Sequence, residues 1–131
     1  MRLLPDTSAY SAATRGHSEI KRVLRFADEI HVSPVMLGEL KAGFRRGSRR
    51  QQNEQDLNTF QDSTRVSHLQ IDGDTAECYA EILADLRKAG TPVPTNDVWI
   101  AASAMQYGLR VVTADAHFRL IPQILVDYFE V

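Results

Sequence analysis

Strands and helices alternate from one end of this chain to the other, which predicts a three-layer α/β/α domain built on a mainly parallel central sheet. Two further observations support that class. The segment Val98 to Met105 is apolar on every side, so it is expected to lie between a sheet and a neighbouring helix. Acidic residues follow two of the expected strands directly, at Asp6 and Asp115, where sheets of this kind carry their ligands.

The elements follow in order. Met1 to Leu4 reads as a short strand and Thr7 to Thr14 as the helix after it. Glu19 to Phe26 is helical, with Ile20, Val23, Leu24 and Ala27 on one face. Ile30 to Val32 is a second strand. Ser33-Pro34 then opens a helix, a hydroxyl cap followed by proline at the first helical position, and that helix runs to about Arg45. Gly47-Ser48 interrupts, and a polar helix from about Arg50 to Ser63 is anchored by Leu57 and Phe60. Val66 to Ile71 is a third strand. A helix starting at Asp74-Thr75 carries Ala76, Tyr79, Ala80, Leu83 and Leu86 at helical spacing until Gly90 and Pro92 end it. The apolar helix stops at Gly108, Leu109 to Thr113 is a fourth strand, Ala116 to Leu120 a short helical turn, and Ile124 to Phe129 a last strand.

Length and composition bound the function. The 131 residues fit one domain, residues 1–131, with 44% hydrophobic and 24% charged residues. The apolar stretches are far too short to span a membrane, and no apolar leader precedes the first acid, so a soluble cytoplasmic protein is expected. The lone Cys78 excludes a disulfide framework. With 15 basic and 17 acidic residues, the chain does not coat nucleic acid by bulk charge. Its charge is nonetheless uneven: Lys41, Arg45, Arg46, Arg49 and Arg50 fall within ten residues that contain no acid. Such a strip beside an acidic pocket suits a polyanion cut at one phosphate, although a solvated helix end has the same appearance.

Asp6, Glu39, Asp97 and Asp115 carry most of the chemical information. Three of them stand where a helix starts and are each explicable as caps or as partners of a helix dipole. Glu39 is different, because the positions three and four residues on hold Ala42 and Gly43, not a basic partner. It also borders the stripe Met36, Leu37, Leu40 and Phe44 and should be partly covered. Two carboxylates ~5 Å apart at an effective dielectric of ~20 repel by about 3 kcal/mol, so a fold that collects several needs a compensating cation. Oxygen ligands without a cysteine, and with histidines (His17, His31, His68, His117) scattered rather than at ligand spacing, point to magnesium or manganese rather than zinc. No Gly-x-Ser-x-Gly turn supports a nucleophilic serine.

Four motifs then resemble one family. Asp6-Thr7-Ser8 after the first strand, Ser33-Pro34-Val35-x-x-Gly38-Glu39-Leu40, Pro94-x-Asn96-Asp97-x-Trp99-Ile100-Ala101-Ala102 and Val112-Thr113-x-Asp115-x-His117-Phe118 resemble the PIN-domain ribonucleases, and within them the VapC-type toxins of toxin-antitoxin pairs. The resemblance runs over essentially the whole chain in the family's order. It implies a PIN-like fold and a Mg2+-dependent endoribonuclease, with Mn2+ as the alternative ion, that leaves a 5'-phosphate and a 3'-hydroxyl. It implies Asp6, Asp97 and Asp115 as metal-binding aspartates, Glu39 as the helix glutamate that is either base or ligand, and Thr113 as the hydroxyl beside the last acid. Ser8 and Asn96 match polar neighbours of the site and are equally readable as capping residues, while Trp99 reads as core. It also implies an RNA substrate, whose phosphates the basic residues Arg45, Arg46, Arg49 and Arg50, with help from Arg87 and Lys88, are expected to draw. A small antitoxin whose tail fills the groove and a homodimer, with Tyr79 and Leu83 as interface or core residues, complete the expectation. One departure is Pro5, where the family has an aliphatic residue, since proline removes a ladder donor from a strand.

Two other readings fit parts of the pattern. A PIN scaffold working only as an RNA- or protein-binding module would be free to lose its acids, and all four are present. A phosphoacceptor receiver domain would need paired acids after the first strand and a late lysine, and no lysine follows Lys88.

Overall fold

In the computed structural model, which describes residues 1–131, five short strands join into one sheet. They are β1 (Arg2–Pro5), β2 (Glu29–Val32), β3 (Val66–His68), β4 (Arg110–Thr113) and β5 (Leu125–Tyr128). Their order is β3-β2-β1-β4-β5, and every neighbouring pair is parallel. Six helices accompany them: α1 (Thr7–Thr14), α2 (Ser18–Phe26), α3 (Pro34–Arg46), α4 (Arg50–Gln61), α5 (Gly73–Ala89) and α6 (Thr95–Tyr107). A 3-10 turn, Ala116–Leu120, joins β4 to β5.

Consecutive strand residues face opposite layers, as the pleat requires. Leu3, Ile30 and Val112 pack with Ala9, Ala12, Ile20 and Leu24 under α1 and α2, and Val32 joins Tyr10, Met36, Leu40 and Leu57 under α3 and α4. On the other face Leu4 and Val111 meet Ile82, Leu86, Val98 and Ile100 of α5 and α6. The three-layer expectation is therefore met. Leaving β1, the chain builds outward through β2 and β3, then returns across the sheet to lay β4 on the far side of β1. The strand order reverses between β1 and β4, and a crevice opens there beyond their carboxyl ends.

Proline at the end of β1 leaves the position of Asp6 undisturbed. Pairing with β2 stops at Leu3 opposite Ile30, whereas pairing with β4 continues to Pro5 opposite Val112, and the Asp6 amide donates to the Val112 carbonyl at 3.1 Å. Backbone amides alternate sides along a strand, so the donor that Pro5 lacks is the one facing β2, where pairing has already ended.

Several boundaries differ from the expected ones for local reasons. β3 ends at His68, with one more ladder bond from the Leu69 amide to the Val32 carbonyl at 2.9 Å. Its partner β2 turns into α3 at Ser33, so residues beyond Leu69 have nothing to pair with. α5 starts one residue early because Asp72 caps it: its carboxylate accepts from the amides of Asp74 and Thr75, and the Thr75 hydroxyl accepts from the Asp72 amide. α6 is buried along Val98 and Ile100 to Ala104 and closes on Gly108 at φ 66°, a left-handed conformation that glycine adopts without a Cβ clash. Trp99, expected in the core, is only partly buried. It stacks on Tyr79 of α5 with ring centroids 4.0 Å apart. Leu83 and Tyr79 themselves pack against the core beneath α5.

The start of α3 is held by Ser33, fully buried, whose hydroxyl accepts from the Val35 amide at 3.1 Å, followed by Pro34 at the first helical position. Ser33→Ala leaves that amide without its partner and is expected to destabilise the fold by about 1 kcal/mol, read as a lower urea midpoint at unchanged slope.

Candidate active site

Asp6 is the most enclosed acid of the chain, 3% exposed at the mouth of β1. It caps α1 by accepting from the Ala9 amide at 2.9 Å. Two hydroxyls also donate to it, Ser8 at 2.7 Å and Thr113 at 2.7 Å. Each of those hydroxyls in turn accepts from the backbone leaving β4: the Ala114 amide donates to Ser8 Oγ and the Asp115 amide to Thr113 Oγ1, both at 2.9 Å. The end of β1 is thus bonded to the end of β4 through two side-chain relays. All three donors to Asp6 are neutral, and burial outweighs them, so its carboxyl titrates above the usual carboxylate range, with the charge of Asp115 adding to the effect.

Glu39 lies half-buried on α3, as the wheel predicts, and reaches the same crevice. The Thr7 hydroxyl donates to its Oε1 at 2.7 Å, and the Asn96 amide donates to its Oε2 at 3.3 Å. Asn96 therefore contacts the site rather than capping α6, whose cap position is occupied by Pro94 without a side-chain bond. Ser8 likewise bonds the first aspartate. Thr7 is a participant that sequence reading passes over as an ordinary first residue of α1. The signal that could have found it is its place between Asp6 and Ser8, one residue from a catalytic-type acid on a helix start.

Asp97 stands in the first turn of α6, partly buried, and Asp115 caps the 3-10 turn by accepting from the His117 amide at 2.9 Å. Burial first, then the charges of Asp115, Asp6 and Glu39, push the Asp97 carboxyl up to about 7. The other three sequence-selected acids therefore all bear on Asp97 across the crevice. One histidine joins them, contrary to the expectation that none stands at ligand spacing: His117 Nδ1 lies 2.8 Å from Asp115 Oδ1, and His117, Asp97 and Asp115 each offer a ligand atom within 4.8 Å of the others. A separation of two residues at the start of an irregular connection hides this pairing, because the sequence does not say which way either side chain turns.

No lysine or arginine lies within ion-pair distance of any of the four acids; the ion pairs of the molecule are elsewhere, apart from His117 with Asp115. A carboxyl raised to about 7 by burial first and then by the charges of three other acids marks a cluster short of positive charge. Oxygen donors in that state fit a hard divalent cation, and the residues present are sufficient in kind to hold one. Arg45, Arg46, Arg49 and Arg50 stand at the end of α3 and the start of α4, free of carboxylate partners. Arg45 lies six residues beyond Glu39 on α3, roughly 9 Å at a helical rise of 1.5 Å. Lys41 is instead paired with Glu54 at 2.9 Å.

The chain is similar to known proteins over nearly its whole length. The family model for the PIN domain matches residues 3–123. Ribonuclease VapC4 of Mycobacterium tuberculosis is 37% identical over 128 residues, covering 95% of each chain. Among solved structures, VapBC2 from Rickettsia felis, bound to a DNA fragment from its promoter, superposes with a TM-score of 0.88 at 22% identity, covering 99% of this chain and 100% of that one. VapBC-5 of Mycobacterium tuberculosis, a member of the VapBC family of toxin-antitoxin systems, gives 0.73 at 27% identity, covering 99% of this chain and 98% of that one. With the motifs in place from β1 to the 3-10 turn, the chain belongs to the PIN-domain family, in its VapC ribonuclease branch.

Proposed function

We propose that this chain is a metal-dependent endoribonuclease that acts as the toxin of a toxin-antitoxin pair. The observation that carries the reading is a set of four carboxylates at the reversal of strand order with no lysine or arginine to neutralise them. Asp6, Asp97 and Asp115 would hold Mg2+, or Mn2+ in its place, and the bound ion supplies positive charge against a phosphodiester and acidifies water. The residues around it orient and position. Ser8 and Thr113 fix the carboxylate of Asp6, and Thr7 and Asn96 fix Glu39, which is either the group that orients and deprotonates the attacking water or a further ligand. Arg45, Arg46, Arg49 and Arg50, with Arg87 and Lys88, supply the charge that draws RNA, single-stranded or structured, across the crevice.

The names of its relatives support a ribonuclease, and the solved VapBC assemblies support a small antitoxin as partner. A cleft of about 370 Å3 lies between α1, α3 and α4, lined by Tyr10, Leu40, Phe44 and Arg49 among others, with none of the four acids in its wall. It is the surface on which the tail of such a partner would lie. We place the whole chain in one PIN domain, working as a homodimer in the cytoplasm; no helix is long and apolar enough to cross a membrane. The alternative of a scaffold that binds without cutting is separated by one measurement, cleavage of an RNA oligonucleotide with and without chelator. Cutting that persists undiminished in EDTA removes the metal from the mechanism, and no cutting with any divalent ion leaves the binding module. Growth arrest on expression, relieved by the product of a neighbouring small gene, tests the toxin role.

Asp6→Asn and Asp97→Asn are expected to lower cleavage at least about a hundredfold while leaving the circular dichroism spectrum unchanged. The same Asp97 gives a pH signature. Its folded-state value near 7 exceeds the 3.8 of an ordinary aspartate, so between those values the folded chain binds the extra proton and metal-free stability falls as pH rises. Asp97→Asn removes that slope: in EDTA its melting temperature should equal or exceed that of the unaltered chain above pH 7, with the advantage shrinking towards pH 4. An Asp97→Asn protein that melts lower at pH 8 would contradict the charge crowding. Finally, Arg49→Ala with Arg50→Ala, in the Asp97→Asn background, should weaken RNA binding by fluorescence anisotropy. The slope of log affinity against log salt should drop by about 0.7 for each phosphate that is no longer neutralised.

A further inference from the structure

His117 is the one cationic-capable side chain at the crevice, and the acids alone leave it without a task. We propose that its imidazole is a nitrogen ligand of the divalent ion held here, so that the site selects manganese, a first-row transition ion, over magnesium. The inference rests on the metal-binding half of the proposed function and is independent of which polymer is cut.

Three features of the structure carry it. His117 Nδ1 and Asp115 Oδ1 are 2.8 Å apart, and one ligand atom each from His117, Asp115 and Asp97 falls within 4.8 Å of the others. Adjacent ligands of an octahedral ion with bonds of about 2.1 Å stand ~3 Å apart, so the Asp115–His117 spacing is that of two neighbouring corners of one coordination shell. The backbone that presents the ring is rigid. The His117 amide is bonded to Asp115 Oδ1 at 2.9 Å, and the next residue, Phe118, is fully buried in the core. The ring itself is half-exposed and has no polar contact other than Asp115, which leaves it free to turn a lone pair to an arriving ion.

The chemistry sets the selectivity. Magnesium is hard, favours oxygen and retains its water, so an imidazole adds little to its binding. First-row transition ions gain from nitrogen donors, and manganese, the weakest of that series, also accepts the carboxylates that dominate this site. The other histidines are engaged elsewhere. His17 accepts from the Ile20 amide and faces the Glu130 carbonyl, His31 pairs with Glu29, and His68 pairs with Gln61.

The test uses the full chain and the metals alone. Mn2+ binding is followed by the loss of the free-ion EPR signal, Mg2+ is measured by competition, and pulsed EPR on the Mn2+ complex detects nitrogen coupled to the ion. The expected result is a nitrogen modulation in the unaltered chain that is absent from His117→Gln. In the variant Mn2+ should bind at least about tenfold more weakly and Mg2+ within about threefold of its original affinity. Tight Mn2+ binding without nitrogen coupling overturns the proposal, leaving His117 as a hydrogen-bond donor to Asp115. An unchanged manganese-to-magnesium ratio in the variant overturns it too. Absence of Mn2+ binding by the unaltered chain overturns it together with the metal site. Nitrogen-coupled Mn2+ in a chain that cuts no RNA sustains the ligand assignment while refuting the ribonuclease.

Discussion

Ser8 and Thr113 do for this fold what a metal or disulfide does in others: they tie two segments that are distant in the chain to one point. Each hydroxyl accepts a backbone amide from the exit of β4 and donates its own proton to Asp6 at the exit of β1. A hydroxyl accepts and donates through a single atom, so an apolar isostere at either position leaves a backbone amide of the β4 exit without its partner and removes one donor from the Asp6 carboxylate. The polypeptide leaves β1 and β4 in opposite directions, towards α1 and towards the 3-10 turn. The β1–β4 ladder, ending in the bond from the Asp6 amide to the Val112 carbonyl, brings the two exits together, and the relays fix the Asp6 carboxylate against the backbone that carries Asp115. The buried location makes the bonds stronger and their loss more costly.

The same closeness sets up an internal conflict. Asp6 is enclosed with only neutral donors around it, Glu39 is held by a hydroxyl and an amide, and burial together with the charges of the other three acids raises Asp97 to about 7. Neutral donors orient a carboxylate without cancelling its charge, which suits a site that must leave the charge available to a cation. A lysine or arginine there would offset the crowding of the carboxylates and cancel that charge. Basic residues stand at a distance from the four acids, on the last turn of α3 and the first of α4, without acid partners of their own.

Much of this was legible in the residues. The alternation of elements, the Ser33-Pro34 helix start and the all-round apolar α6 follow from periodicity and capping chemistry, which are local. The four acids stood out because Glu39 lacks a helical ion-pair partner and two of the aspartates directly follow strands. Thr7, His117 and the double role of Ser8 were not legible, because each depends on how side chains turn or on the approach of segments up to about a hundred residues apart, and spacing along the chain says nothing about either. Boundaries failed where a neighbour ran out: β3 stops because β2 does; Trp99, partly buried, stacks on Tyr79 of another helix, a contact that spacing along the chain does not reveal. Pro5 looked disruptive only while the direction of its missing amide was unknown.

Strand order explains why acids so far apart in sequence are needed at all. In a sheet ordered β3-β2-β1-β4-β5, the strand order reverses between β1 and β4, and these two central strands send their chains to different sides. A crevice there can be lined from both sides by helix starts. Asp6, Asp97 and Asp115 sit at such starts, Asp6 and Asp115 each accepting from an amide there, and α3 reaches over from the neighbouring strand to contribute Glu39 from its second turn. Moving any one acid to another strand end would lay it along the sheet edge, out of range of the others. The charge crowding that adds to burial in raising Asp97 to about 7 is therefore a consequence of topology, which brings the four acids to one place.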